Sequence, residues 1–148
     1  MSNAETFVER FTEVWRSPQP QQFADLWHED GTLLHPGMSQ PIGGRQKIMR
    51  HVGKITQVAP DISLRPLRWA ARGDDVFIEW RITATLAGEP VSWDGVDRFT
   101  LRDDRAVNGI AYFDMVPLWS RIDPAMAHST TLEEAAGAAH VGDRATAD

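Results

Sequence analysis

His35 and Asp97 are the side chains in this sequence best suited to moving a proton. A histidine titrates near neutrality and can serve as either base or acid. His35 ends an apolar run, Thr32-Leu33-Leu34-His35, and is stopped by Pro36-Gly37. It either transfers protons or bonds a nearby carbonyl at a sheet rim. Asp97 falls in period with Trp93, Gly95, Phe99 and Leu101. An aspartate on such a face is paired or functional, because an isolated buried charge is costly. Its structural alternative is a salt bridge to Arg81 or another arginine. Arg81 could hold an enolate or carboxylate from inside a pocket, or sit on the opposite face in a dimer interface.

Other chemistries are disfavoured. The chain has no cysteine, which removes disulfides, thiolate catalysis and cysteine zinc sites. His28, His35 and His51 lack a recognisable metal-ligand spacing. No glycine-rich phosphate loop lies between a strand and a helix, and no serine-hydrolase elbow occurs. Neither a metal nor a cofactor is therefore expected.

The elements that must position these groups follow from periodicity. Asp74–Leu118 reads as three strands, Val76–Leu86, Val91–Leu101 and Ala106–Leu118. In the first, Val76, Ile78, Trp80, Ile82, Ala84 and Leu86 share one face, and Phe77, Glu79, Arg81, Thr83 and Thr85 the other. Ahead of them, Ser2-Asn3-Ala4-Glu5 is a capping box that opens a helix over about Asn3–Arg16. Phe23, Leu26 and Trp27 mark a short second helix ended by Asp30-Gly31. A third begins after Gly43-Gly44, with Ile48, Val52, Ile55 and Ala59 as its stripe. Ile62–Ala71 is a further strand. The order α-α-β-α-β-β-β-β is α+β, with helices covering an antiparallel sheet.

The chain has 148 residues, 42% hydrophobic and 24% charged, with a formal charge of −6. That is one domain of ordinary size. Asp123, Glu133, Glu134, Asp143 and Asp148 against Arg144 give the alanine-rich stretch 123–148 a net −4. The expected domain is 1–122, followed by an acidic tail with little to bury. Without a basic stripe, nucleic acid is an unexpected partner. Without an apolar run of spanning length or a secretory leader, no membrane association is expected, and the composition fits a cytoplasmic protein.

Gly31-Thr32-Leu33-Leu34-His35-Pro36, Ile42-Gly43-Gly44-Arg45, Trp93-Asp94-Gly95-Val96-Asp97-Arg98-Phe99 and Ala111-Tyr112-Phe113-Asp114 occur in an order and spacing that resemble the nuclear transport factor 2-like superfamily. Within it, residues 5 to 118 are most similar to the SnoaL-like polyketide cyclase branch. The resemblance implies a cone: a curved antiparallel sheet wrapped around three N-terminal helices, with an apolar pocket open at one end. It also implies a homodimer formed through the outer sheet faces, and a small apolar or aromatic ligand. Members include ketosteroid isomerase, whose general base is an aspartate before a proline, and ungapped placement of Trp27–Pro36 puts His35 there. Acidic groups on the strand of Asp97 face the pocket in such enzymes, so His35 and Asp97 would form the acid/base pair. Phe11, Trp15, Trp27, Val52, Trp93, Phe99 and Phe113 would line the pocket, with Arg81 and Asp114 as further substrate contacts; ordinary core residues and a strand cap are the plainer roles. Phe11 replaces the helix 1 tyrosine of ketosteroid isomerase. Arg81-Ile82-Thr83 and Ala111 lack the aspartates of the epoxide hydrolases of this fold. Isomerase, dehydratase or cyclase chemistry on a carbonyl-bearing substrate is the class implied, with a non-catalytic ligand-binding or dimerisation module as the alternative. For His35, burial beside Trp27 and a nearby Asp97 carboxylate are expected to shift the pKa in opposite directions.

Overall fold

The computed structural model describes residues 1–122. Helix α1, Asn3–Arg16, starts at the Ser2 cap: Ser2 Oγ accepts the Glu5 amide at 3.1 Å, and Glu5 Oε2 accepts the Ser2 amide at 2.7 Å. Satisfying two otherwise orphaned amides fixes the first turn. Phe7, Val8, Phe11 and Val14 form the buried face of α1. The second helical segment is a 3-10 turn, Pro20–Asp25, shorter than the periodicity of Phe23, Leu26 and Trp27 suggests. Trp27 already begins strand β1, Trp27–Leu34, so Trp27–Asp30 are extended and not helical. A short strand β2, Ile42–Gly43, precedes the next helix.

Helix α2, Arg45–Val58, follows Gly44, whose φ of 94° suits glycine. Arg45 donates to the carbonyls of Ala24 at 3.5 Å and Trp27 at 3.4 Å. The Gly-Gly-Arg sequence thus ties the start of α2 to the 3-10 turn and β1. Strands β3, Ser63–Arg72, β4, Asp75–Leu86, β5, Glu89–Arg102, and β6, Arg105–Phe113, form the meander. The last strand ends at Phe113, five residues short of Leu118.

The six strands lie in the order β2-β1-β6-β5-β4-β3 in a curved, open sheet. All neighbours are antiparallel except β1 and β6, which run parallel with Trp27 opposite Ala106. This α+β cone matches the expected architecture. Val76, Ile78, Trp80, Ile82, Ala84 and Leu86 are all buried on the inner face of β4. Glycine makes room for the largest rings: a Cβ on Gly95 would lie 2.5 Å from Trp80, and one on Gly109 would lie 2.6 Å from Trp27. The outer face mixes ion pairs with the exposed rings of Phe77 and Tyr112.

Residues Met1–Asp114 make one compact unit, and Met115 begins another. Within the latter, Val116–Ile122 is a short helix, α3. The tail expected from Asp123 onward lies outside the described residues. No helix among the described residues is long and apolar enough to cross a membrane.

Candidate active site

The end of β1, the middle of β5 and the inner side of α2 converge on one cavity. Phe11, Phe23, Leu26, Trp27, Leu33, Ile48, Val52 and Phe99 form its buried apolar wall. Phe99 is the hub, with ring centroids 4.9 Å from Phe7, 5.5 Å from Phe11 and 5.8 Å from Trp27. Trp15, His35, His51 and Ile55 also line the cavity but are only half-buried, so they form its mouth. The open volume is about 30 Å³. A water needs roughly 10–15 Å³ by such a measure, whereas sites for drug-sized ligands run to roughly 300–1,000 Å³. The cavity therefore admits water, and a larger guest requires the mouth residues to move.

Asp97 lines this cavity and is 9% exposed. Its cross-strand neighbours are Ile78 and Ala111, neither of which can pair with a charge. No salt bridge to it occurs among the described residues. Arg81 bonds Asp94 instead, at 2.7 and 2.9 Å, on the exposed outer face. Burial consequently pushes the Asp97 carboxyl up to about 7. The Trp80 indole N–H lies near enough to oppose this rise in part, but not in hydrogen-bond geometry: Trp80 Nε1 and Asp97 Oδ1 are both buried without a bond. A carboxyl held this way is a neutral acid through mildly acidic conditions.

His35 follows β1 and makes no carbonyl bond through its ring among the described residues. Its Nδ1 lies 3.3 Å from Nε2 of His51 on α2, with ring centroids 5.0 Å apart at 72°. Phe113 lies against the same ring, centroid to centroid 6.2 Å, and also meets Trp80 at 5.6 Å. Burial first, and His51 second, lower the His35 pKa to about 4. The expected upward pull from Asp97 does not contribute. His51 is itself lowered, by burial and then by Lys54.

Four expected pocket residues lie elsewhere. Arg81 points outward, as the alternation of β4 requires when Trp80 points in. Trp93 shares the inner face of β5 but lies beyond Gly95, outside the cavity wall, with a buried and unbonded Nε1. Phe113 supports His35 from behind without entering the wall. Asp114 is exposed after the end of β6. Sequence reasoning missed His51 as a partner. The signal was present: His51 falls between Ile48 and Val52 at i+3, within the stripe Ile48, His51, Val52, Ile55. Among the described residues, no cluster of three or more potential ligands could hold a metal ion.

Sequence comparison matches residues 8–109 to the SnoaL-like domain. No curated protein gives a significant sequence match. Solved structures give many matches of the same fold. One is a protein from Jannaschia sp. CCS1 assigned as a SnoaL-like polyketide cyclase, 18% identical with a TM-score of 0.72, covering 81% of this chain and 90% of that one. TerC, co-crystallised with polyporic acid, is 22% identical with a TM-score of 0.73 over 82% of this chain and 99% of its own. A protein of ketosteroid isomerase-like fold from Catenulispora acidiphila, in complex with trimethylamine, is 16% identical with a TM-score of 0.71, covering 78% and 90%. At such identities the likeness carries the fold and not the substrate. The matched span covers most of the compact unit, including β1, α2 and the strand of Asp97, and the chain belongs to the SnoaL-like domain family, with the nuclear transport factor 2-like fold.

Proposed function

We propose that this protein is an acid/base enzyme of the isomerase, dehydratase or polyketide cyclase type, acting on an apolar, carbonyl-bearing small molecule. The observation that carries the reading is the sharing of one apolar cavity by His35 and Asp97, whose pKa values are displaced in opposite directions. Between about pH 4 and 7 one cavity holds an unprotonated imidazole and a protonated carboxyl. Groups pushed apart in this way divide the roles of base and acid. His35 would take a proton from carbon next to the carbonyl, and Asp97 would give one to the carbonyl oxygen. The product of that step is an enol, with imidazolium and carboxylate left as an ion pair; the reverse transfers at another carbon complete an isomerisation. Attraction between the new charges is strong in a cavity walled by Phe11, Trp27 and Phe99. This chemistry calls on no group beyond these side chains.

The test is a screen of small enones, hydroxyketones and polyketide-like aromatics, followed by His35→Asn on any compound turned over. A general base contributes about 10²–10⁴-fold in rate, so kcat should fall by that order with little change in KM. Full turnover by the asparagine variant would remove His35 from the mechanism.

A second reading, a non-catalytic ligand-binding or dimerisation module, is favoured by the small open volume of about 30 Å³, which leaves little room for a reacting substrate. It predicts ligand binding without turnover in the same screen. Either reading includes a homodimer through the outer sheet face, where Phe77 is 41% and Tyr112 54% exposed.

A further inference from the structure

We infer that His51 is a proton relay that connects His35 to solvent. This deepens the acid/base reading and, as a contribution to catalysis, rests on it. With substrate filling the mouth that His35 helps to form, a proton not returned to the substrate has no direct path from His35 to water. His51 offers a route that bypasses the cavity. It stands on α2 in the same stripe as Ile48, Val52 and Ile55, and so faces inward, yet it is only half-buried. Its Nε2 meets His35 Nδ1 at 3.3 Å, with the rings nearly perpendicular.

A neutral imidazole has one donor and one acceptor nitrogen, so this bond needs one shared proton. When His35 Nε2 receives a proton, its Nδ1 proton can pass to His51 Nε2. His51 then releases its own Nδ1 proton to water. Each ring gains one proton and loses one, and both finish neutral with their tautomers exchanged. The return passage restores them. The surroundings suit this exchange. Lys54, one turn along α2, is the charged group that acts on the pair; Asp97 on β5 lines the same cavity, and Phe113 from β6 is apolar. Lys54 and burial both oppose a lasting charge on His51, which keeps it a carrier and not a trap.

The experiment uses the full chain with isotope-labelled histidine and no substrate. NMR magnetisation transfer from water reads the exchange rate of the His35 ring proton near neutral pH. The wild-type protein should show fast exchange and a through-bond coupling between His35 Nδ1 and His51 Nε2. His51→Gln supplies an amide that keeps a hydrogen bond but cannot pass a proton. It should slow the exchange at least about tenfold, the loss of an acid/base route being worth up to about 10²–10⁴. His51→Asn provides the same reading if the glutamine variant does not fold. Unchanged exchange in the folded variant overturns the relay, and so does an absent coupling in the wild type. Because no turnover is measured, this result is independent of the His35→Asn assay: slowed exchange with full turnover in His35→Asn keeps the relay and rejects His35 as the catalytic base.

Discussion

Replacing Asp97 by asparagine should change the way stability depends on pH, in a direction the cavity dictates. The folded carboxyl titrates at about 7 against 3.8 for the ordinary group. A raised folded pKa means that the native state holds a proton the unfolded chain has released. The stabilisation is complete below pH 3.8 and is lost as pH rises through about 7. Three pKa units at about 1.4 kcal/mol each amount to about 4 kcal/mol. His35 acts in the opposite sense, with a folded value of about 4 against 6.5. Its contribution is present above pH 6.5 and is lost as pH falls through about 4, a swing of about 3 kcal/mol. Between those limits the two slopes nearly cancel in the wild type. Asparagine keeps the size of Asp97 and cannot titrate, so the cancellation ends. Urea unfolding followed by tryptophan fluorescence, from pH 4 to 8, measures this directly. Relative to the wild type, Asp97→Asn should gain about 4 kcal/mol between the two ends of the series. Subtraction removes the exposed carboxylates Glu5, Asp61, Asp94 and Asp104, whose lowered values are common to both proteins. A difference that stays flat with pH would mean that Asp97 is ionised in the native state, and the assignment of the acid would fail.

Further outcomes follow from the same geometry. Gly95→Ala puts a Cβ within 2.5 Å of Trp80 and 2.9 Å of Phe113, so overpacking should lower unfolding stability by about 1–3 kcal/mol. Phe99→Ala empties the aromatic hub and should cost about 3–5 kcal/mol in the same assay. Arg81→Ala breaks only an exposed pair on the outer face and should leave ligand affinity and turnover unchanged; a large loss of either would return Arg81 to the pocket. If the outer face is the dimer interface, Tyr112→Glu should convert a dimeric mass at micromolar concentration to a monomeric one.

Much of this was legible in the residues because the interactions concerned are local. Ser2 and Glu5 make α1 predictable from four positions. The alternation of β4 separates Trp80 from Arg81 without reference to any other strand. The errors lie where a distant partner decides. Phe23, Leu26 and Trp27 carry helical spacing, yet Trp27 is drawn into β1 by parallel pairing with Ala106, far along the chain. The period-two pattern of β6 runs into Val116-Pro117-Leu118, where proline near a helix start marks a change of element. At the site, His35 and Asp97 could be singled out by residue type and face. His51 could not be joined to His35 by spacing, because only the docking of α2 beside the end of β1 brings them together. Nor could the sequence indicate that Asp97 would lose its charge. That depends on Arg81 choosing Asp94 and on Ile78 and Ala111 flanking the carboxyl.

Where the proton of the pair resides at neutral pH is read most directly by NMR titration of the Asp97 carboxyl carbon and the His35 ring in the unmodified protein. Asp97 should titrate near 7, and His35 should stay neutral down to about 4. A carboxyl already ionised at pH 5 beside an imidazole titrating near 6.5 would contradict the acid/base assignment.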